Sequence, residues 1–169
     1  MPAHFLIRGI GRRIPRASEI GVRVSRNRES APIREERRTV MKAELTLVQA
    51  SVADHIGIIT LNNPKKRNCL SYALIQDLCH ALAEMHKEDV RVVILRALEG
   101  SQVFSAGHDI GELPTNGRDP LTYTDPLRHV VRTIEHFRAP VIAMVEGSVW
   151  GGACELVMSC DLIIAADDS

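Results

Sequence analysis

Two glycine-bearing segments, Phe104-Ser105-Ala106-Gly107-His108-Asp109 and Glu146-Gly147-Ser148-Val149-Trp150-Gly151-Gly152, restrict what this chain can become. Each follows a β-branched or aromatic run and stands beside a helical pattern, so each reads as a strand-to-helix corner where backbone N–H groups are left free. A pair of such corners can present two N–H groups to one oxygen, the arrangement that stabilises negative charge developing on a carbonyl. An isolated Gly151-Gly152 doublet would more simply allow a helix to pack closely on a strand. The matched partner loop favours the chemical reading.

The surrounding pattern agrees with an α/β layout. Leu45–Val48 and His55–Leu61 read as strands joined by a turn near Ala53-Asp54, and Asn62-Asn63-Pro64 breaks the second. Ser71 suits the N-cap of a helix whose apolar stripe is Leu74, Ile75, Leu78, Leu82 and Met85, with Gln76, Asp77, His80 and Glu84 on a wet opposite face. Val90–Leu95 is a nearly continuous apolar run, as in a strand buried on both sides. Asp125-Pro126 starts another helix, with Leu127, Val130, Val131, Ile134 and Phe137 inward. Pro140–Val145 is a strand, Gly147 a turn, Gly151 onward a helix through Leu156 and Val157, and Leu162–Ala166 the next strand.

Residues 1–40 differ from the rest, carrying ten arginines and four glutamates with no sustained period, and are expected to be a poorly ordered extension. Arg8, Arg12, Arg13 and Arg16 superficially suit a transit peptide, but Gly9, Gly11 and Pro15 spoil the amphipathic helix that import needs, so Met41 is the simpler start of the folded part, 41–169. With 21 basic and 21 acidic residues the chain has no global field for nucleic acid or anionic lipid, and no apolar run is long enough to span a bilayer. Cys69, Cys79, Cys154 and Cys160 lack a C-x-x-C spacing and fit reduced thiols in a cytoplasmic setting. His80 and Glu84 form an ordinary surface pair rather than a metal site, His129 and His136 are surface residues, and neither a G-x-S-x-G nor a phosphate-loop motif is present.

The two glycine segments and their flanks, including Glu112-Leu113-Pro114, Gly117–Leu121, Asp125–Arg128 and Met144–Ala153, resemble the crotonase (enoyl-CoA hydratase/isomerase) superfamily from Leu45 to the last residue. The long match around Ser105–Ile110 resembles its decarboxylase branch, which acts on malonyl- and methylmalonyl-type thioesters; hydratases and isomerases are the alternative. The resemblance implies a ββα superhelix of which this chain covers only the N-terminal part, so an inactive fragment or a binding subunit is a further alternative. It implies an acyl-CoA substrate, no metal and no separate cofactor, and assembly into trimers or hexamers. It places the two oxyanion-binding amides on His108 and Gly152. Lys66, Asn68 and Cys69 would border the CoA nucleotide, with Ala106, Gly107, His108, Asp109 and Ile110 along the thioester and pantetheine. Asp109 also suits a hydrogen-bonded turn. Glu155 matches the catalytic glutamate of the hydratases, although a first-turn glutamate equally suits the helix dipole.

Overall fold

A computed structural model describes residues 4–7, 39–40, 45–113, 122–167 and 169. The strands are β1 (His4–Ile7), β2 (Thr39–Val40), β3 (Val48–Ala53), β4 (Ile56–Leu61), β5 (Val92–Ala97), β6 (Val103–Ser105), β7 (Val141–Val145), β8 (Ser148–Val149) and β9 (Leu162–Ala165). The α-helices are α1 (Tyr72–Lys87), α2 (Pro126–Glu135) and α3 (Gly152–Met158). Seven strands form one sheet in the order β1-β9-β7-β5-β4-β3-β2, and β6 pairs with β8 in a second.

Three successive units, β3-β4-α1, β5-β6-α2 and β7-β8-α3, repeat the strand–strand–helix turn expected of a ββα superhelix. The β4/β5, β5/β7 and β7/β9 pairs are parallel because a helical crossover carries the chain back each time. β3 and β4 pair antiparallel across Asp54 and His55, whose φ values of 48° and 64° give the two-residue turn that matches strand twist.

Ser71 caps α1, its Oγ accepting from the N–H of Leu74, and the stripe Leu74, Ile75, Leu78, Ala81, Leu82 and Met85 is buried. Asp125 caps α2 by accepting from Leu127, and Leu127, Val130 and Ile134 face inward; Val131 and Phe137 are only partly covered. Both helices lie on the sheet face formed by Ile59, Leu61, Val93, Leu95, Val141 and Ala143, all buried.

Three expectations are corrected. β3 starts at Val48, not Leu45, because the N–H groups of Thr46 and Leu47 donate to Asp77 Oδ2 on α1 at 3.0 and 2.9 Å. Asp77 is therefore half-buried and engaged rather than wet. β5 is Val92–Ala97 and alternates buried with half-buried residues, since α1 and α2 cover only one of its faces. Within 1–40, His4–Ile7 pairs with β9 and Thr39–Val40 with β3; the rest of the expected disordered extension lies outside the described residues. Among the described residues no helix is long and apolar enough to cross a membrane.

Candidate active site

The two glycine segments are zipped together by the small β6/β8 sheet. Val103 pairs with Ser148 and Ser105 with Val149, and the N–H of Trp150 continues the contact by donating to the Ser105 carbonyl at 3.1 Å. Both loops leave this sheet side by side. Gly107 has φ +81°, and a Cβ there would lie 2.4 Å from the Trp150 carbonyl oxygen and 3.0 Å from the Gly152 nitrogen. Glycine is thus dictated by conformation and by close approach. The N–H of His108 follows directly, and among the described residues neither it nor the N–H of Gly152 has an acceptor. Two uncommitted amides thus stand on neighbouring loops.

A third loop, residues 63–70, is tied to the first. Leu70 N–H donates to the Gly107 carbonyl at 2.7 Å, Ala106 N–H to the Arg67 carbonyl at 2.9 Å, and Ser105 Oγ to the Asn68 carbonyl at 2.7 Å. Asn68 serves as scaffold here. It is 2% exposed, its Oδ1 accepts from Asn63 N–H and its Nδ2 donates to the Phe104 carbonyl, so its side chain is not offered to a ligand. Of the residues expected to border the nucleotide, Asn68 braces the loop from behind with its side chain.

Two open clefts meet at His108. One, of about 430 Å³, is lined by Lys65, Lys66, Arg67, Cys69, Ala106, His108, Asp109 and Ile110. It gathers six of the expected binding residues and is cationic at its outer end. Lys66 Nζ lies 3.1 Å from Asp109 Oδ2, a hydrogen bond that raises the lysine's pKa. Asp109 also accepts from Gly111 N–H at 3.0 Å, and that bond, followed by Lys66, holds its carboxyl below the usual range. Burial, with Asp109 beside it, pushes the Cys69 thiol up.

The other cleft, of about 510 Å³, is lined by Leu70, Tyr72, Ile75, Leu113 and Pro126, with His108, Glu112, Thr122, Thr124 and Asp125 as its polar members. Asp125 and Glu112 were not among the expected site residues. Asp125-Pro126 announces a helix cap, which Asp125 also is, and the cap concealed a second role: its Oδ1 lies 3.5 Å from His108 Nε2. Glu112 accepts from Tyr72 N–H at 2.7 Å, tying the loop after Asp109 to the start of α1. Glu155 is exposed in the first turn of α3 and lines neither cleft. Away from both clefts, His80 Nε2 lies 4.0 Å from Glu84 Oε1, which Lys87 also engages.

Comparison with known proteins places these features in a family. Residues 51–169 match the family described as enoyl-CoA hydratase/isomerase. Methylmalonyl-CoA decarboxylase of Escherichia coli (strain K12) is 53% identical over 122 residues, covering 72% of this chain and 47% of that protein. Mitochondrial enoyl-CoA hydratase domain-containing protein 3 of Rattus norvegicus is 39% identical over 131 residues, 76% of this chain and 43% of the relative. A solved structure of methylmalonyl CoA decarboxylase complexed with 2S-carboxypropyl CoA superposes with a TM-score of 0.70 at 51% identity, covering 73% of this chain and 47% of that one. The chain thus spans somewhat under half the length of these relatives. On the match over residues 51–169 and on these identities, the chain belongs to the enoyl-CoA hydratase/isomerase (crotonase) family.

Proposed function

We propose that this chain carries the thioester-binding part of an acyl-CoA decarboxylase acting on malonyl- or methylmalonyl-type substrates. The observation behind this reading is the close approach of the Gly107 turn to the Trp150 and Gly152 backbone, with the N–H groups of His108 and Gly152 uncommitted among the described residues, where a cationic cleft meets an apolar one. The cationic cleft suits the phosphates of CoA, and the apolar cleft a short acyl group. The 53% identity to a methylmalonyl-CoA decarboxylase supports that substrate class over others in the family.

In the reaction, the thioester oxygen rests on the two amides and the α-carboxylate stands out of the thioester plane. The C–C bond to the carboxylate breaks, CO2 leaves, and the electron pair passes into the thioester π system as an enolate. Each amide donor aimed at that oxygen is worth about 3 kcal/mol in the transition state. CoA enters as part of the substrate, and the step asks no metal or organic cofactor of the protein. The four free thiols support a reducing, cytoplasmic setting.

Hydration of an enoyl-CoA is the second reading. It rests on Glu155, which stands in the first turn of α3 three residues after Gly152. Incubation of the purified chain with methylmalonyl-CoA and with crotonyl-CoA separates the two. Release of CO2 with appearance of propionyl-CoA is expected; hydration of crotonyl-CoA alone would replace the first reading by the second, and failure to bind either thioester would overturn both.

A further inference from the structure

The imidazole of His108 faces a carboxylate. Nε2 lies 3.5 Å from Asp125 Oδ1, and the two side chains are only 19% and 12% exposed. Asp125 is itself anchored, since the same oxygen accepts from Leu127 N–H at 2.8 Å at the head of α2. At the opposite edge of the ring, Nδ1 falls 2.8 Å from the point that a Cβ on Gly152 would occupy, and among the described residues it has no hydrogen-bond partner. One ring nitrogen therefore faces a fixed carboxylate while the other, without a partner among the described residues, lies against Gly152.

We propose that the His108 imidazole, oriented by Asp125, delivers the proton to the α-carbon of the enolate. This rests on the reading of the site as one that forms an enolate. With the enolate oxygen on the N–H groups of residues 108 and 152, the α-carbon lies two bonds from that oxygen, and on the proposed function the acyl group takes the cleft that His108 and Asp125 line. In the step, the Nδ1–H bond of the protonated ring breaks and its electron pair stays on nitrogen. The enolate π pair forms the new C–H bond and the thioester carbonyl is restored. The ring is left neutral with Nε2–H on Asp125, and solvent reprotonates it. Asp125 is a positioning residue, because it selects the Nε2–H form and thereby keeps Nδ1 for the substrate. The other carboxylate of this cleft, Glu112, is occupied by the Tyr72 N–H.

The full chain carrying His108→Gln keeps the backbone N–H but loses the titratable ring, and Asp125→Asn keeps the helix cap but loses the charge. Three measurements decide the matter: CO2 release from methylmalonyl-CoA, deuterium exchange at the α-carbon of propionyl-CoA in D2O, and NMR of the His108 ring nitrogens. Exchange probes formation of the same enolate from the product side. Expected are wild-type exchange, a loss of ~100-fold or more in H108Q that exceeds any change in the Kd for propionyl-CoA, and, once the wild-type ring is titrated to its neutral form, a preference for the Nε2–H tautomer that disappears in D125N. H108Q exchanging at the wild-type rate while CO2 release persists overturns the proton-donor role and leaves the decarboxylase reading standing. A wild-type ring whose neutral form carries its proton on Nδ1 overturns the proposal whatever the turnover. A wild type that neither releases CO2 nor exchanges overturns the enolate reading and this proposal with it.

Discussion

At Gly107 two separate demands fall on one residue, and they can be measured apart. Its φ of +81° disfavours any side chain, and a Cβ would meet the Trp150 carbonyl at 2.4 Å; Gly100, at φ +76°, has nothing within 4 Å of the same position. Gly100→Ala should therefore show the conformational cost alone, about 1–2 kcal/mol by urea unfolding. Gly107→Ala should cost more than this and also abolish thioester binding, because the loop must retreat from Gly152. Equal losses in the two variants would show that the close approach is unimportant. Asp109 gives a pH-dependent counterpart. Its folded carboxyl titrates below the ordinary value of 3.8 because Gly111 N–H and Lys66 bind the charged form. The stabilisation is then complete above that value and is lost as pH falls through the lowered one. The urea midpoint of the wild type should approach that of D109N only on acidification below about pH 4, and a gap that stays constant from neutral pH downward would contradict the assignment.

At the level of elements, the caps carry predictions of ordinary size. Ser71→Ala removes the acceptor for Leu74 N–H and should cost about 1 kcal/mol. Asp77→Ala strands two N–H groups, those of Thr46 and Leu47, and should cost at least as much while shifting amide-exchange protection at residues 46 and 47. The contrast between these two positions shows what the amino-acid sequence reveals. Ser71 stands directly before an apolar stripe of helical period, so its role is legible from neighbours along the chain. Asp77 acts on residues thirty positions away, and nothing local distinguishes it from a solvated aspartate. The site divides the same way. Gly107 and Gly152 are legible because a side chain at either would crowd the facing loop, whereas the burial of the Asn68 side chain is hidden by its place in a loop beside Lys65, Lys66 and Arg67. Its burial and its two spent amide groups arise from Phe104 and Asn63, contacts that only the fold creates. Asp125 was read correctly as a cap and not as the partner of His108, since one motif cannot announce two functions.

At the scale of the whole molecule, the two faces of the large sheet are treated unequally. Val93, Leu95, Val141 and Ala143 lie under α1 and α2 and are almost fully shielded, at 0–1% exposure. On the reverse face, register aligns Ile58 with Ile94, Ile94 with Ile142 and Ile142 with Leu162, a continuous aliphatic row across four strands, every member of which stays half-buried. Thr60 and Arg96, paired through Oγ1 and Nε at 3.2 Å, give that face its polar interruption. An aliphatic row of this kind, with Trp150 and Met158 also exposed at 61% and 45%, favours association through whatever apolar surface is at hand. The chain should therefore bind a hydrophobic dye while folded and gain mass with concentration in sedimentation experiments. Ile142→Lys should weaken both effects with little change in unfolding midpoint, because the lysine stem can lie along the row and its ammonium reach water. Ala143→Lys, one residue along the same strand but facing the helices, should instead unfold the protein, since a buried unpaired charge costs several kcal/mol. If Ile142→Lys destabilises the chain as severely as Ala143→Lys, the reverse face is already covered in solution, and the expected association has no surface on which to occur.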